Sequence, residues 1–269
     1  MPLVSVIIPY FKKKQHIKNA INSVLNQTYK NFEIIIIYDD QNLEDYFYLF
    51  NEFKNITNIK IFKNIKNLGA GASRNIGIKN SIGEIIAFLD SDDLWLPNKL
   101  EIQINFMQKN NYNFTFSDYK KKLLNGRIIQ IISKKQELNY EDLLKSCDIG
   151  LSTVMLNKNI ILEENLFPNL LTKEDYIAWL KITKNNTRAY NVGKVLVQWN
   201  QTRYSLSSNF YQKIVDGFRV YYTYEKLNLI KSLFFLLRLG LNSLKKKNLI
   251  IFIKIKVISI NSFAFYVCN

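Results

Sequence analysis

Three carboxylates lie within four residues, directly after an apolar run. The run from Ile85 to Leu89 is followed by Asp90, Ser91, Asp92 and Asp93. A continuous apolar run predicts a strand buried on both faces, as in parallel α/β sheets. Crowded carboxylates repel one another unless a cation joins them, and oxygen ligands favour Mg²⁺ or Mn²⁺. The stretch therefore indicates a divalent-metal and diphosphate site at a strand end; the alternative is a solvated acidic turn in which Asp93 caps the next helix.

A second pair of acids, Asp39 and Asp40, follows the apolar run from Phe32 to Tyr38. Carboxylates at the ends of neighbouring parallel strands converge on one crevice. The Gly-rich turn from Asn67 to Asn75 opens a helix whose first amides can face an anion, with Arg74 supplying charge. It matches neither the P-loop nor the G-x-G-x-x-G fingerprint, so a purely structural turn with Arg74 on the surface is the alternative.

A third acidic pair, Glu174-Asp175, precedes an apolar helical pattern, and Thr172 is placed to cap that helix. Acids in a first helical turn are favourable for the helix dipole, and spacing alone favours that explanation. The functional alternative is a general base at the mouth of the crevice.

These residues need a sheet to position them. Four alternations of strand and helix in about the first 110 residues predict an α/β fold with a mostly parallel sheet flanked by helices. Later strands are expected at 114–119, 127–132, 152–156 and 196–200. We assign residues 1–210 to this domain and residues 211–269 to a C-terminal helical extension that is basic and apolar.

Composition restricts the function classes. A chain of 269 residues with 48% hydrophobic residues can hold one large α/β domain with an appendage. One His and two distant cysteines, Cys147 and Cys268, exclude a Cys/His zinc cluster and a disulfide framework. The start from Met1 to Val4 lacks the basic segment of a signal peptide, so we expect a cytoplasmic protein.

The net charge of +15 is uneven: after Glu225 the chain has eight Lys or Arg residues and no acid. The apolar stretches Leu229 to Leu241 and Leu249 to Val267 are interrupted by basic residues, so a spanning helix is not expected. A basic segment lying on the inner face of the cytoplasmic membrane, with anionic lipid as partner, is one interpretation. An ordinary core helix with a basic solvent face is equally supported.

Six motifs occur together in one order along the chain. They are Ser5 to Tyr10, Ser23 to Thr28, Phe32 to Asp40, Asn67 to Asn75, Asp90 to Asp93 and Glu174-Asp175. Together they resemble the family 2 glycosyltransferases of bacteria, over roughly residues 3–210. The specificity of the match comes from all six in register and not from any one of them.

The resemblance implies a GT-A fold, which is Rossmann-like, and an inverting transfer from a nucleotide-diphospho-sugar. The acceptor would be a hydroxyl of a glycan or lipid-linked molecule, in the synthesis of surface polysaccharide or lipooligosaccharide. It implies that Asp92 binds Mn²⁺ or Mg²⁺, that Asp90 approaches the ribose and that Asp175 is the base. The implied nucleotide-sugar-binding residues are Pro9, Tyr10, Asp39, Asp40, Asn67, Arg74, Asp90 and Ser91.

The sequence departs from the family pattern in two places. The usual Asp-Asp-Gly-Ser reads Asp-Asp-Gln-Asn here, which leaves open which acid meets the nucleotide base. Arg and His are frequent in the family where this chain has Asn200 and Thr202, so a phosphate contact is either lost or supplied by Arg203.

Two other functions fit parts of the sequence. Sugar nucleotidyl transfer uses a similar crevice, and the Glu174-Asp175 helix start argues weakly against it. A non-catalytic basic module that binds membranes or nucleic acid fits the charge. However, the aromatic residues are dispersed along apolar faces and not interleaved with Lys and Arg, so we do not expect a nucleic-acid partner.

Overall fold

The computed structural model describes residues 1–202 and 210–244. Arg203, the stretch 204–209 and the tail 245–269, which includes the apolar stretch from Leu249, lie outside these ranges. The strands are β1 (Val4–Tyr10), β2 (Phe32–Tyr38), β3 (Ile59–Lys63), β4 (Ile85–Phe88), β5 (Leu94–Trp95), β6 (Phe114–Lys122), β7 (Ile128–Ile131), β8 (Glu137–Leu138), β9 (Met155–Asn157) and β10 (Ala189–Asn200).

Helices follow most of the strands. They are α1 (Lys14–Leu25), α2 (Leu43–Phe53), α3 (Ala70–Lys79), α4 (Lys99–Asn110), α5 (Tyr140–Lys145), α6 (Glu174–Lys184), α7 (Phe210–Arg219) and α8 (residues 229–244). A π-helical turn, Val220–Tyr224, continues α7. None of the helices in the described part of the chain is long and apolar enough to cross a membrane.

The strands form one sheet in the order β3-β2-β1-β4-β9-β6-β10-β5, with β7 paired to β6 and β8 to β10. The four strands β3, β2, β1 and β4 pair in parallel, as do β6 and β10. The short strand β9 is antiparallel to both β4 and β6. The predicted mostly parallel sheet flanked by helices is confirmed, and the carboxyl ends of β1, β2 and β4 share one edge.

The apolar runs are strands because both faces of the sheet are covered. Alternate residues of β4 belong to two different hydrophobic clusters: Ile86 and Phe88 to one, Ile85 and Ala87 to the other. The cluster that contains Ile85 is built with α1, α2 and α4, and the one that contains Ile86 is built with α5, α6 and the C-terminal helices. Burial on both faces explains why the sequence shows continuous apolar runs and not alternation.

The helices after residue 210 pack against the second of these clusters. Val220, Tyr221 and Leu239 are buried in it together with Trp179 of α6. Asn242 of α8 donates to the carbonyl of Lys145 at 2.8 Å. The division of the chain at residue 210 stays a prediction, since these contacts describe packing and not independent folding.

Three local expectations differ from the structure. Leu94 and Trp95, which would open the next helix if Asp93 were its cap, form β5 and pair with β10. The stretch predicted as a strand from residue 152 begins as a 3-10 turn, Leu151–Thr153, before β9. The last strand is longer than predicted because β10 starts at Ala189 and pairs along β6 through a bulge.

Candidate active site

One buried arginine joins two of the acidic motifs. Arg74 of α3 donates to Asp90 Oδ1 at 2.8 Å and to Glu174 Oε1 at 2.7 Å. Its side chain is only 5% exposed. Burial disfavours the charged guanidinium, but the two carboxylates outweigh this and raise the pKa of Arg74. The strand end after β4 and the start of α6 are therefore held together through α3.

A glycine allows this approach. A Cβ on Gly71 would lie 2.7 Å from the carbonyl oxygen of Pro168 and 3.5 Å from Cβ of Glu174. The first turn of α3 thus packs directly on the loop before α6, and a side chain at Gly71 would separate them. The glycine of this turn provides close contact as well as backbone freedom.

The acids after β4 have different surroundings. Asp93 is buried; its carboxylate accepts from Ser152 Oγ at 2.6 Å and from the Asn200 N–H at 3.1 Å. Burial raises the pKa of Asp93 well above its usual range. The expectation that Asp93 caps the next helix is wrong, because α4 begins later, at Lys99, and Asp93 instead ties the acidic loop to β10.

Asp92 faces a lysine. Its Oδ2 lies 2.8 Å from Lys13 Nζ and 3.3 Å from Thr202 Oγ1, and Lys13 also donates to Thr202 at 2.9 Å. The side chains of Lys13 and Asp92 are 20% and 19% exposed. Thr202, a position where the resemblance leads us to expect His, therefore contacts the predicted metal ligand.

The donor set at Asp92 fits a divalent ion bound together with a diphosphate. Among the described residues, no three His, Cys, Asp or Glu side chains form a cluster that could hold a metal alone. Mg²⁺ usually takes one or two carboxylates and completes its shell with phosphate and water oxygens. Asp92 provides a partly exposed carboxylate, and the ammonium of Lys13 shows that a cation is accommodated there. The metal role of Asp92 stays a prediction.

The first amides of the Gly-rich turn do face an anion, but it belongs to the protein. Asp39 Oδ1 accepts from the Leu68 N–H and Oδ2 from the Gly69 N–H, each at 2.8 Å. Asn64 and Asn67 donate to the same carboxylate at 2.8 and 3.2 Å. Four donors occupy Asp39, which is buried, and anchor the turn before α3 to the end of β2.

The other implied nucleotide-binding residues gather near this edge. Pro9 and Tyr10 end β1, and the Tyr10 ring stacks on Tyr38 with centroids 4.9 Å apart. Tyr10 Oη donates to Asp45 at 2.7 Å. Asp40 accepts from the Asn42 N–H at 3.2 Å. Ser91 is buried in the acidic loop. Arg74 is not on the surface, and both ends of its guanidinium bind carboxylates, so its predicted role towards the nucleotide-sugar remains untested.

The helix that carries the predicted base begins in an unusual way. Lys173 precedes α6 with φ of 70°, and no side chain caps the helix, so the expected Thr172 cap is wrong. Thr172 instead donates through its N–H and Oγ1 to Asp216 of α7, at 3.1 and 2.9 Å. Asp175 Oδ1 accepts from the Tyr176 N–H at 2.7 Å. Burial raises the pKa of Asp175, and the nearby charges of Lys173 and Arg74 offset this only in part.

Sequence reasoning missed Lys13 and Ser152. Lys13 lies in a run of three lysines after β1, and its position beyond the carboxyl end of a central strand was the available signal. Ser152 accepts from the Asp90 N–H at 3.1 Å and donates to Asp93, so it fixes the acidic loop from the opposite side. No sequence motif marks it.

Comparisons with known proteins agree with this architecture. The sequence model of glycosyl transferase family 2 matches residues 5–159. An Escherichia coli protein named UDP-Glc:alpha-D-GlcNAc-diphosphoundecaprenol beta-1,3-glucosyltransferase WfgD is 39% identical over 213 residues, 79% of this chain and 82% of that protein. The putative teichuronic acid biosynthesis glycosyltransferase TuaG of Bacillus subtilis is 31% identical over 248 residues, 91% and 98% of the two chains.

A solved structure supports the fold. Residues 1–349 of TarS from S. aureus, crystallised with UDP-GlcNAc, superpose with a TM-score of 0.67 at 21% identity, covering 87% of this chain and 70% of that one. At this identity the likeness concerns the fold alone. The family model and the two relatives confirm what the motifs indicated, and this chain belongs to glycosyl transferase family 2.

Proposed function

We propose that the chain transfers a sugar, with inversion, from a nucleotide-diphospho-sugar to a hydroxyl group of a lipid-diphosphate-linked glycan. The bridge through Arg74 carries the proposal, because it holds the loop with Asp90 and Asp92 beside the helix start with Asp175. A donor site and a base must be adjacent for a direct displacement. Family membership favours glycosyl transfer over nucleotidyl transfer and over a non-catalytic module.

Asp92 is the residue proposed to hold Mn²⁺ or Mg²⁺ against the donor diphosphate. When bound there, the ion supplies electrostatic stabilisation of the charge that develops on the departing nucleoside diphosphate. Asp90 is proposed to bind the ribose, and Arg74 fixes its carboxylate through the Oδ1 contact. The remaining oxygen of Asp90 is then oriented for a ligand.

Asp175 is proposed to act as the general base. It removes the proton from the acceptor hydroxyl while that oxygen attacks the anomeric carbon, and the bond from this carbon to the diphosphate breaks with its electrons on the leaving oxygen. A single displacement inverts the anomeric centre and needs no protein nucleophile. The pKa of Asp175, raised by burial, makes it a stronger base than an exposed aspartate.

The substrates are inferred from relatives. The E. coli relative is named for UDP-glucose as donor and a diphosphoundecaprenol-linked GlcNAc as acceptor, and TarS was crystallised with UDP-GlcNAc. Both support a uridine diphosphate leaving group for this chain. The β linkage in the first name is what inversion forms from an α-configured sugar nucleotide.

A two-part experiment tests the proposal. Thermal unfolding is measured with UDP-, GDP- and CDP-sugars, with and without Mn²⁺, and a Mn²⁺-dependent stabilisation by a UDP-sugar is expected. Asp92→Ala should lose this stabilisation. Asp175→Asn should keep it but lose about 10²- to 10⁴-fold in turnover with a lipid-diphosphate acceptor.

Glu164→Gln, at an exposed acid outside the acidic motifs that pairs with Lys79, is the control and should behave as the unchanged protein. Normal transfer by both Asp92→Ala and Asp175→Asn would refute the assignment of these residues.

A further inference from the structure

The C-terminal helices expose an apolar face that the sheet does not use. On α8 the exposed large apolar residues are Leu229, Ile230, Leu233, Phe234, Leu237, Leu241 and Leu244. Ile230, Phe234, Leu237, Leu241 and Leu244 recur at intervals of three or four residues, so they form one stripe along the helix, with Leu233 beside it. Ile230 is 80% exposed and Leu237 is 68% exposed, which is unusual for aliphatic residues on a packed helix.

The opposite side of α8 is fixed to the protein. Ser232 and Leu239 are buried there, and Phe235 stacks on Tyr221 with ring centroids 5.6 Å apart. The helix is therefore apolar on two sides, of which one packs against the core and the other is exposed. Its exposed stripe cannot turn inward, because the buried side is held by these contacts.

A second stripe on α7 and its continuation joins the first. Tyr211, Ile214 and Tyr222 are exposed, and Phe218 stacks on Tyr222 at 5.2 Å. A groove of about 510 Å³ runs between the two helices, and Ile214, Phe218 and Leu233 line it together. The two stripes thus form one continuous surface, which we call the apolar face.

The apolar face is bordered by positive charge. Lys231 and Arg238, seven residues apart on α8, are both exposed on the same flank of the stripe. The nearest acids in the sequence, Asp216 and Glu225, are both buried, and Glu225 is paired with Lys184 at 2.9 Å. After Glu225 the sequence contains no acid at all. The surroundings of the face therefore attract anions.

We infer that the apolar face lies on an anionic lipid bilayer, with its leucines and phenylalanine in the interfacial region and Lys231 and Arg238 at the headgroups. Two exposed tyrosines suit the same boundary, since their rings are apolar and their hydroxyls polar. A second copy of the chain is a poorer occupant, because a symmetric contact would oppose two sets of basic residues. The same charge argument disfavours residues 245–269, which add five lysines and no acid.

This orientation would place the reaction close to the lipid surface. Asp216, on α7 beside the apolar face, is buried and binds Thr172 through two hydrogen bonds. Thr172 precedes the helix start that carries Asp175 by only two residues. A lipid-linked acceptor could therefore enter from the plane in which α7 lies. The inference concerns membrane binding and depends on neither the proposed metal nor the proposed base.

The test is flotation of the purified full-length chain with lipid vesicles. Wild type should bind vesicles containing 30% phosphatidylglycerol and bind pure phosphatidylcholine vesicles at least about fivefold more weakly, with the difference reduced by salt. The triple variant Ile230→Ser/Leu237→Ser/Leu241→Ser should bind anionic vesicles at least about tenfold more weakly. Lys231→Ser/Arg238→Ser should lose the preference for anionic lipid.

A matched control replaces three exposed apolar residues elsewhere, Ile65→Ser/Leu124→Ser/Leu162→Ser, and should bind as wild type. Circular dichroism and thermal unfolding confirm that each variant is folded. Unchanged vesicle binding by the triple variant of α8 would overturn the inference and assign binding to another part of the chain. A second result would also overturn the inference. In that result wild type binds no vesicles but forms a dimer, detected by light scattering, and the triple variant is monomeric.

Discussion

The ammonium of Lys13 lies 2.8 Å from Asp92 Oδ2, on the carboxylate proposed to hold the divalent ion. Lys13 belongs to the loop between β1 and α1, whereas Asp92 follows β4, so the pair closes the carboxyl edge of the sheet. A lysine ammonium and a divalent ion at the same carboxylate repel each other, so they compete for it. The donor-free protein therefore balances the charge of Asp92 with its own cation.

Lys13→Ala should raise the affinity of the donor-free protein for Mn²⁺ by about three- to tenfold, because it removes a competing cation from a partly exposed pair. Binding is measured from the free Mn²⁺ signal in an electron paramagnetic resonance titration. Lys13→Arg, which keeps a cation beside Asp92, should show no gain. An unchanged or lower affinity in Lys13→Ala would mean that the ion pair does not compete with the metal.

Because of Asp175, enzymatic activity and folding stability should respond to pH in opposite directions. Burial raises its pKa above the value of about 3.9 expected in the unfolded chain, so kcat/KM should fall as the pH decreases through the raised pKa. Between the two pKa values the folded state binds more protons, so the stability contribution of Asp175 falls as the pH rises. Asp175→Asn should therefore gain stability relative to wild type as the pH increases.

The opposite sign is expected at Asp142, where pairing with Lys135 and a helix-capping contact outweigh burial and lower the pKa. The stability that Asp142 contributes is present above the pKa that Asp142 has in the unfolded chain, and it is lost as the pH falls. Urea unfolding of Asp175→Asn and Asp142→Asn from pH 4 to 8 measures both trends. Parallel curves for wild type and Asp175→Asn would contradict the raised pKa.

Arg74→Lys should lower both stability and turnover. One ammonium cannot reproduce two separate contacts, from Nη1 to Glu174 and from Nη2 to Asp90, so a partly buried carboxylate loses a partner at a cost of about 1–3 kcal/mol. We expect kcat to fall more than donor KM rises, because the proposed base and the proposed donor site lose their relative position. Thermal unfolding and steady-state kinetics measure the two effects.

The matched control is Arg188→Lys, at an exposed ion pair with Glu137. The free energy of unfolding should change there by no more than about 0.5 kcal/mol. Wild-type kinetics in Arg74→Lys would show that the bridge does not position the site.

Asp39→Asn should destabilise the protein by about 2–4 kcal/mol. The carboxylate of Asp39 now accepts hydrogen bonds from two backbone N–H groups, and the NH₂ group of an asparagine could not accept one of them. The negative charge at the start of α3 would also be lost. Asp40→Asn, whose carboxylate accepts from the Asn42 N–H, should cost less. Chemical denaturation measures both. A stable Asp39→Asn protein that no longer binds the nucleotide would instead assign the base contact to Asp39.

The sequence was sufficient to predict the parallel half of the sheet, because buried strands and amphipathic helices have different periodicities. It also identified the acidic motifs. It could not predict which acid is used internally: Asp39, Asp90 and Asp93 all bind donors within the protein, and this depends on residues far along the chain. Local rules failed where a tertiary contact replaced a local one, as for Thr172.

The sequence pattern also did not predict that some basic residues are buried inside the protein. Lys99 begins α4 and looks like a solvent-exposed residue, yet it is fully buried with its Nζ atom 4.1 Å from the centre of the Trp95 ring. The contact requires β5 to run beside the helix start, and two residues are too few for a strand signal. The alternative that places Arg74 on the surface was wrong for the same reason, since its partners come from two distant segments.

The division of the apolar residues between the two faces of the sheet has a consequence for folding. The face with α1, α2 and α4 is built almost entirely from the first 107 residues, whereas the other face needs segments from β4 to α8. Cooperative units often follow such divisions. Amide exchange should therefore reveal a slowly exchanging N-terminal unit and a second unit that opens earlier. Loosening of the C-terminal helices would expose the proposed acceptor side while the proposed nucleotide side stays folded.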